Sequence, residues 1–127
     1  MLWYGYMATL LTHRDHEDRP WGSFDRFTKN EPSTVKLIRI NPNQEFSLQY
    51  HKHRNEFWHV IHGGAVATIG EEKREIKEGD EIQLPEGTKH RLHAGPEGVM
   101  ILEIAFGEFD EGDIVRLADD YGRVPSP

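Results

Sequence analysis

Four histidines, a glutamine, a glutamate and a tryptophan crowd into the stretch SLQYHKHRNEFWHVIHGG that begins at Ser47, half of the eight histidines in the chain. Side chains alternate along a strand, so Gln49, His51 and His53 share one face of EFSLQYHKH while Phe46, Leu48 and Tyr50 share the other. A face of that kind is either a solvated polar surface or a set of ligands. The chain contains no cysteine, so a metal would have to be held by nitrogen and oxygen donors. Two further spacings favour ligands. Q-x-H-x4-E-x6-G runs from Gln49 through His51 and Glu56 to Gly63, and G-x5-P-x-G-x2-H runs from Gly79 through Pro85 and Gly87 to His90.

These two spacings resemble the paired motifs of the cupin superfamily, in which one strand supplies two metal ligands, the next a glutamate, and the second motif a histidine from across a barrel. The resemblance implies that Gln49, His51, Glu56 and His90 hold one divalent ion, with His53 in reserve. Gln49 stands where the superfamily usually has a histidine, and Ala94 where it usually has an asparagine. An amide oxygen, two imidazoles and a carboxylate suit zinc first, with manganese, iron, cobalt or nickel as alternatives, and leave positions open for water or substrate.

The stretches RPWG at 19–22, VK at 35–36, SLQYHKHRNEFW at 47–58, GTKHRL at 87–92, LEIAFG at 102–107 and GDIVRLADDYGR at 112–123 follow, in order, the pattern of the type II phosphomannose isomerases. That family interconverts mannose 6-phosphate and fructose 6-phosphate, and its cupin domain is often fused behind a nucleotidyltransferase. With no such half in these 127 residues, guanylyltransferase activity is not expected. The resemblance implies a metal that stabilises an enediolate, a base that moves a proton between neighbouring carbons, and cations that grip the phosphate. Lys36, Glu103 and His53 are the candidate bases. Arg116 and Arg123 are the candidate phosphate ligands, since a guanidinium fork matches paired phosphate oxygens. Surface pairing with Asp110, Glu111, Asp113, Asp119 or Asp120 is the competing role for both arginines. Ala105 and Gly112 depart from the family's usual glutamine and acidic residue. A free aldose substrate, a sugar-binding cupin without turnover and a metal-dependent dioxygenase therefore stand as alternatives.

The elements that must carry these residues are strands. From Ser33 to Phe106 the chain runs as short apolar or alternating stretches broken every eight to twelve residues by turn formers, the rhythm of an all-β barrel. STVKLIRI, EFSLQYHKH, EFWHVIHG, GAVATIG and GVMILEIAF read as strands, with two briefer ones on either side of Gly79-Asp80. A turn or so of helix is expected only within GDIVRLADDYGR. The expected architecture is a cupin-type double-stranded β-helix, a jelly-roll barrel with short peripheral helical turns. Residues 1–18 read as a loose arm, 19–123 as one cupin domain and 124–127 as a tail, with Met1 or Met7 as the start. Trp58 reads as core. His59 and His62, on opposite faces, read as packing or surface residues, and His13 and His16 as solvated. Arg54 begins a turn, where it either touches substrate or is exposed.

A formal net charge of −7 repels a phosphate backbone and argues against nucleic acid as a partner. No segment has the length and apolarity to span a bilayer, and the opening residues lack a basic start and a cleavage site. A cytoplasmic protein acting on a small sugar phosphate is expected. The strand edges of so small a barrel, together with the family resemblance, point to a homodimer.

Overall fold

The structure, a computed structural model, describes residues 10–123. The described residues form nine strands, of which β3 to β8 carry the expected segments: β1 (Asp15–Arg19), β2 (Gly22–Arg26), β3 (Thr34–Ile40), β4 (Leu48–Tyr50), β5 (Arg54–Ile69), β6 (Glu72–Lys77), β7 (Glu81–Leu84), β8 (His90–Gly107) and β9 (Val115–Ala118). Two of them are long. EFWHVIHG and GAVATIG merge into β5, and GVMILEIAF extends back to His90 as β8. These two pair along almost their whole length, with register shifts between Val60 and His62 and between Gly63 and Ala65. The bend there needs glycine: Gly63 has φ 80°, and a Cβ on it would collide with the Gly98 carbonyl oxygen.

Because β5 and β8 bend together, each serves both walls of the barrel. The first half of β5 takes β7 on its free side and the second half takes β6. The second half of β8 takes β3, while its first residue meets β4, which also pairs β9. Apolar side chains from all of these fill the interior. Trp58, Ala67, Leu92, Ala94 and Ile101 are wholly buried, with Val60, Ile82 and Leu84 close behind. The all-β barrel is as expected.

Two local expectations are corrected. The helical turn expected in GDIVRLADDYGR is strand β9, which is drawn into the sheet by pairing with β4. The loose arm expected over 1–18 has structure from residue 10 onward. Leu11 is buried with Phe57 and Ile104, Arg14 forks onto Glu81 at 2.5 and 2.9 Å, and β1 pairs with β2. Residues 1–9 and the 124–127 tail lie outside the described residues. The β1–β2 hairpin has no apolar alternation to betray it; cross-strand ion pairs from Arg26 to Asp15 and Glu17 hold it. Among the described residues no helix is long and apolar enough to cross a membrane.

Candidate metal centre and cation wall

Residues directly opposite one another in an antiparallel sheet point to the same face. Two such rows look into the barrel. In one, Lys36 on β3, Glu103 on β8 and Trp58 on β5 lie side by side. In the other, His90 on β8, Gln49 on β4 and Arg116 on β9 do the same. Glu56, two residues before Trp58 on β5, shares the inward face. His51 follows β4 directly. Except for Trp58, which lies behind them in the core, these residues, with Ile38, Phe46, Arg54, Glu111, Ile114 and Arg123, line a cavity of about 210 Å³.

At its base, His51, Glu56 and His90 are buried and offer ligand atoms within 4.8 Å of one another. Glu56 Oε1 lies 3.3 Å from His51 Nε2 and 3.5 Å from His90 Nε2. Each imidazole is turned by its far nitrogen. His51 Nδ1 donates to the Asp113 carbonyl at 2.6 Å and His90 Nδ1 to the Thr88 carbonyl at 2.8 Å. A ring that donates through Nδ1 keeps a lone pair on Nε2; both Nε2 atoms lie close to Glu56, and that of His51 also accepts from Arg54 Nη2 at 3.2 Å. Neither Glu56 oxygen accepts a hydrogen bond from a described residue, although both are buried. A buried carboxylate with unmet acceptors, close to two imidazole Nε2 atoms, is what a divalent cation would satisfy. The donor set fits a metal.

The electrostatics agree. The Phe46 and Trp58 rings stand edge-on to the His90 ring, and burial lowers the His90 pKa to about 4; burial also lowers that of His51. Both imidazoles are therefore neutral at pH 7, the form that binds a metal. Burial, reinforced by the nearby Glu103 charge and opposed by Arg54, pushes the Glu56 carboxyl up to about 8.

Gln49, the fourth expected ligand, is on the cavity wall, where its amide oxygen accepts from the buried Ser47 hydroxyl at 2.5 Å. His53 is exposed and does not line the cavity. β4 ends at Tyr50, and the chain turns where the Asp113 carboxylate accepts the main-chain N–H groups of Lys52 and His53, both at 2.9 Å. The turn breaks the alternation that put His53 beside His51. It also swings Arg54 inward, buried with Nη2 3.2 Å from His51 Nε2 and Nε 3.4 Å from Glu56 Oε2.

Of the other expected site residues, Glu103 accepts the Trp58 indole N–H at 2.9 Å, and Lys36 pairs with Glu111 at 2.7 Å. Arg116 Nε is buried with no hydrogen-bond partner among the described residues. Arg123 borders the cavity, yet Asp119 holds its Nε at 2.8 Å and Nη2 at 3.1 Å. Sequence reasoning left Arg54 undecided and cast Glu111 only as a pairing partner for an arginine. Both positions depend on the segment after β8 folding back, where the Phe109 ring lies 4.5 Å from the Arg54 guanidinium and 4.8 Å from Lys36 Nζ. His59 is tied to Glu81 at 2.7 Å, and His62 is exposed. His13 and His16 are exposed and bonded to Glu31 and Asp25.

A family model described as Mannose-6-phosphate isomerase C-terminal matches residues 8–119. The chain is 37% identical over 116 residues to a mannose-1-phosphate guanylyltransferase of Escherichia coli strain K12, a match covering 88% of this chain and 24% of that protein. It is 39% identical over 108 residues to the xanthan biosynthesis protein XanB of Xanthomonas campestris pv. campestris, covering 84% and 23%. Among solved structures it resembles a conserved Klebsiella pneumoniae protein with a double-stranded β-helix domain, at 26% identity and TM-score 0.60, covering 72% of this chain and 78% of that one. The barrel is of the cupin type, in a family of carbohydrate-related enzymes. The chain spans about a quarter of the length of the curated relatives it matches. These relatives correct the expected reaction. They carry guanylyltransferase and polysaccharide-biosynthesis names and share only this segment, so the interconversion of mannose 6-phosphate and fructose 6-phosphate does not pass to this chain from its resemblance.

Proposed function

Because this chain belongs to the Mannose-6-phosphate isomerase C-terminal family, we propose that it is a metal-dependent cupin whose cavity binds a phosphorylated sugar. The observation that carries this reading is the division of one cavity into two chemistries. His51, Glu56 and His90 form its base, and Lys36, Arg54 and Arg116 stand over them. A sugar phosphate has both complements. Neighbouring hydroxyl or carbonyl oxygens can coordinate a hard or borderline cation, while a phosphate monoester takes guanidinium and ammonium donors. Arg116, with a buried Nε that no described residue satisfies, is the cation best able to accept that phosphate. Zinc is the proposed ion, held by His51, Glu56 and His90 with Gln49 completing the set. When bound, it would polarise the sugar oxygens as a Lewis acid.

The reading extends to assembly. Among the described residues β3 pairs only with β8 and turns Val35 and Leu37 outward, 56% and 48% exposed, so a homodimer through this edge is proposed, with sedimentation as its check.

The test is calorimetric titration of zinc-loaded and chelated protein with a panel of aldose and ketose phosphates and their free sugars, turnover being followed in parallel. Binding that needs both the metal and the phosphate supports the reading. Absence of binding by any phosphorylated sugar, or equal affinity for free and phosphorylated forms, overturns it.

A further inference from the structure

The segment between β8 and β9 lines the cavity with Glu111 and Ile114, and its contacts converge on the site. Phe109 lies against the Arg54 guanidinium and Lys36 Nζ, the Asp110 carbonyl accepts Arg54 Nη1 at 3.2 Å, and Glu111 pairs with Lys36. Within the segment, the Gly112 N–H donates to the Asp110 carboxylate at 2.8 Å, and the Asp113 N–H to the Asp110 carbonyl at 2.9 Å. Asp113 joins this strap to the ligand strand twice. Its carboxylate accepts the N–H groups of Lys52 and His53, and its carbonyl accepts His51 Nδ1.

We propose that Asp113 is a positioning residue for the metal centre, latching the 108–113 strap to His51 so that metal binding and strap closure stabilise each other. The inference rests on the metal-binding reading above. The physical route is short. An ion on His51 Nε2 draws electron density from the ring, which strengthens the Nδ1–H donor and hence its bond to the Asp113 carbonyl. The Asp113 side chain, anchored on two amides of the 52–53 turn, fixes where that carbonyl stands. Coupling is reciprocal, so whatever loosens the strap weakens the metal by the same factor by which metal loss loosens the strap. An open strap would carry Glu111 away from Lys36 and Phe109 away from Arg54. The metal thereby sets the cation wall as well as its own ligands.

The experiment combines zinc affinity, by competition with a chromophoric chelator, with amide hydrogen exchange over 108–113, in the wild type and in Asp113→Ala, Asp113→Asn and Asp80→Asn. Asp80 caps the Lys77 N–H at the β6–β7 turn and controls for the loss of an ordinary aspartate cap. Zinc should slow exchange in the strap of the wild type. Asp113→Ala should weaken zinc roughly tenfold or more, within the range seen for groups that orient metal ligands, and abolish the zinc-dependent protection. Asp113→Asn can accept only one of the two amides and should fall between; it decides the matter if the alanine variant does not fold. Asp80→Asn should bind as the wild type does. Wild-type zinc affinity in both Asp113 variants, or strap exchange indifferent to zinc in a wild type that binds it, overturns the proposal while leaving the metal site intact. A wild type that binds no metal overturns the underlying reading instead.

Discussion

The indole N–H of Trp58 donates to Glu103 Oε2 at 2.9 Å, binding β5 to β8 across the floor of the cavity. Both residues are buried, so the bond holds an acid in place in the cavity that His51, Glu56 and His90 share, without exposing it to water. Trp58→Phe removes the donor, leaves a buried carboxylate short of one partner and opens a small void. It should cost about 2 kcal/mol or more in denaturant unfolding. Glu103→Gln keeps an acceptor oxygen for the indole and should cost much less. Equal costs for the two would mean that the bond is not what fixes this corner.

Metal binding should release a proton. Coordination needs the Glu56 carboxylate, and in the metal-free protein its pKa lies at about 8. At pH 7 most molecules therefore hold a proton there that the ion displaces. Calorimetry in buffers of different ionisation enthalpy should report close to one proton released at pH 7 and far less at pH 9. Glu56→Gln should abolish the pH dependence along with most of the affinity, and a proton count that is constant from pH 7 to 9 would contradict the assignment.

In the metal-free protein two titrations oppose one another. His90 is lowered to about 4 from 6.5, so its contribution is full above 6.5 and is lost as the pH falls toward 4. Glu56 is raised from 4.5 to about 8, so its contribution is full below 4.5 and is lost as the pH rises toward 8. Between about 4.5 and 6.5 these two oppose each other, with His51, also lowered by burial, on the side of His90, and above 6.5 Glu56 acts alone. The wild type should lose about 2 kcal/mol relative to Glu56→Gln between pH 6.5 and 8. Unfolding curves at matched pH give this difference with other groups cancelled, and a difference that shrinks over the interval would reverse the sign.

What the sequence made legible was local. Gln49, His51 and Glu56 could be placed because two adjacent strands and a short turn carry them, and His90 because Pro85 and Gly87 mark the corner before it. His53 could not be placed correctly. Its strand ends where Asp113, sixty residues later, captures the amides of the turn, and no local pattern encodes that. Arg54 and Glu111 were missed as cavity residues for the same reason: their positions depend on a strap folding back over the barrel. The β1–β2 hairpin escaped because charge pairing, rather than apolar alternation, makes it.

The corrected start of the fold carries its own prediction. Leu11 is 3% exposed and packs with Phe57 and Ile104. Leu11→Ala should cost roughly 2–4 kcal/mol, as burial of a leucine in a fixed core requires. A loss below about 0.5 kcal/mol, the range of surface substitutions, would return residues 10–18 to the status of an arm.

The two arginines at the end of the chain should behave differently. Arg123 borders the cavity, but Asp119 already holds its Nε and Nη2, and the same carboxylate accepts its main-chain N–H at 2.7 Å. Arg116 sits opposite Gln49 and lines the same cavity as His51, Glu56 and His90, with its Nε buried and unmet among the described residues. A phosphate arriving in the cavity gains more from the second than from the first, since Arg123 would have to surrender an existing bidentate pair. Arg116→Ala should weaken sugar-phosphate binding to the metal-loaded protein at least tenfold, in line with the loss of a charge-assisted bond of about 1.5–3 kcal/mol, while leaving binding of the free sugar nearly unchanged. Arg116→Lys keeps the charge without the fork and should recover only part of the loss. Arg123→Ala should change affinity by less than about threefold. If instead Arg123→Ala proves the more damaging, Asp119 releases its arginine when ligand binds, and the phosphate lies toward the C-terminal side of the mouth.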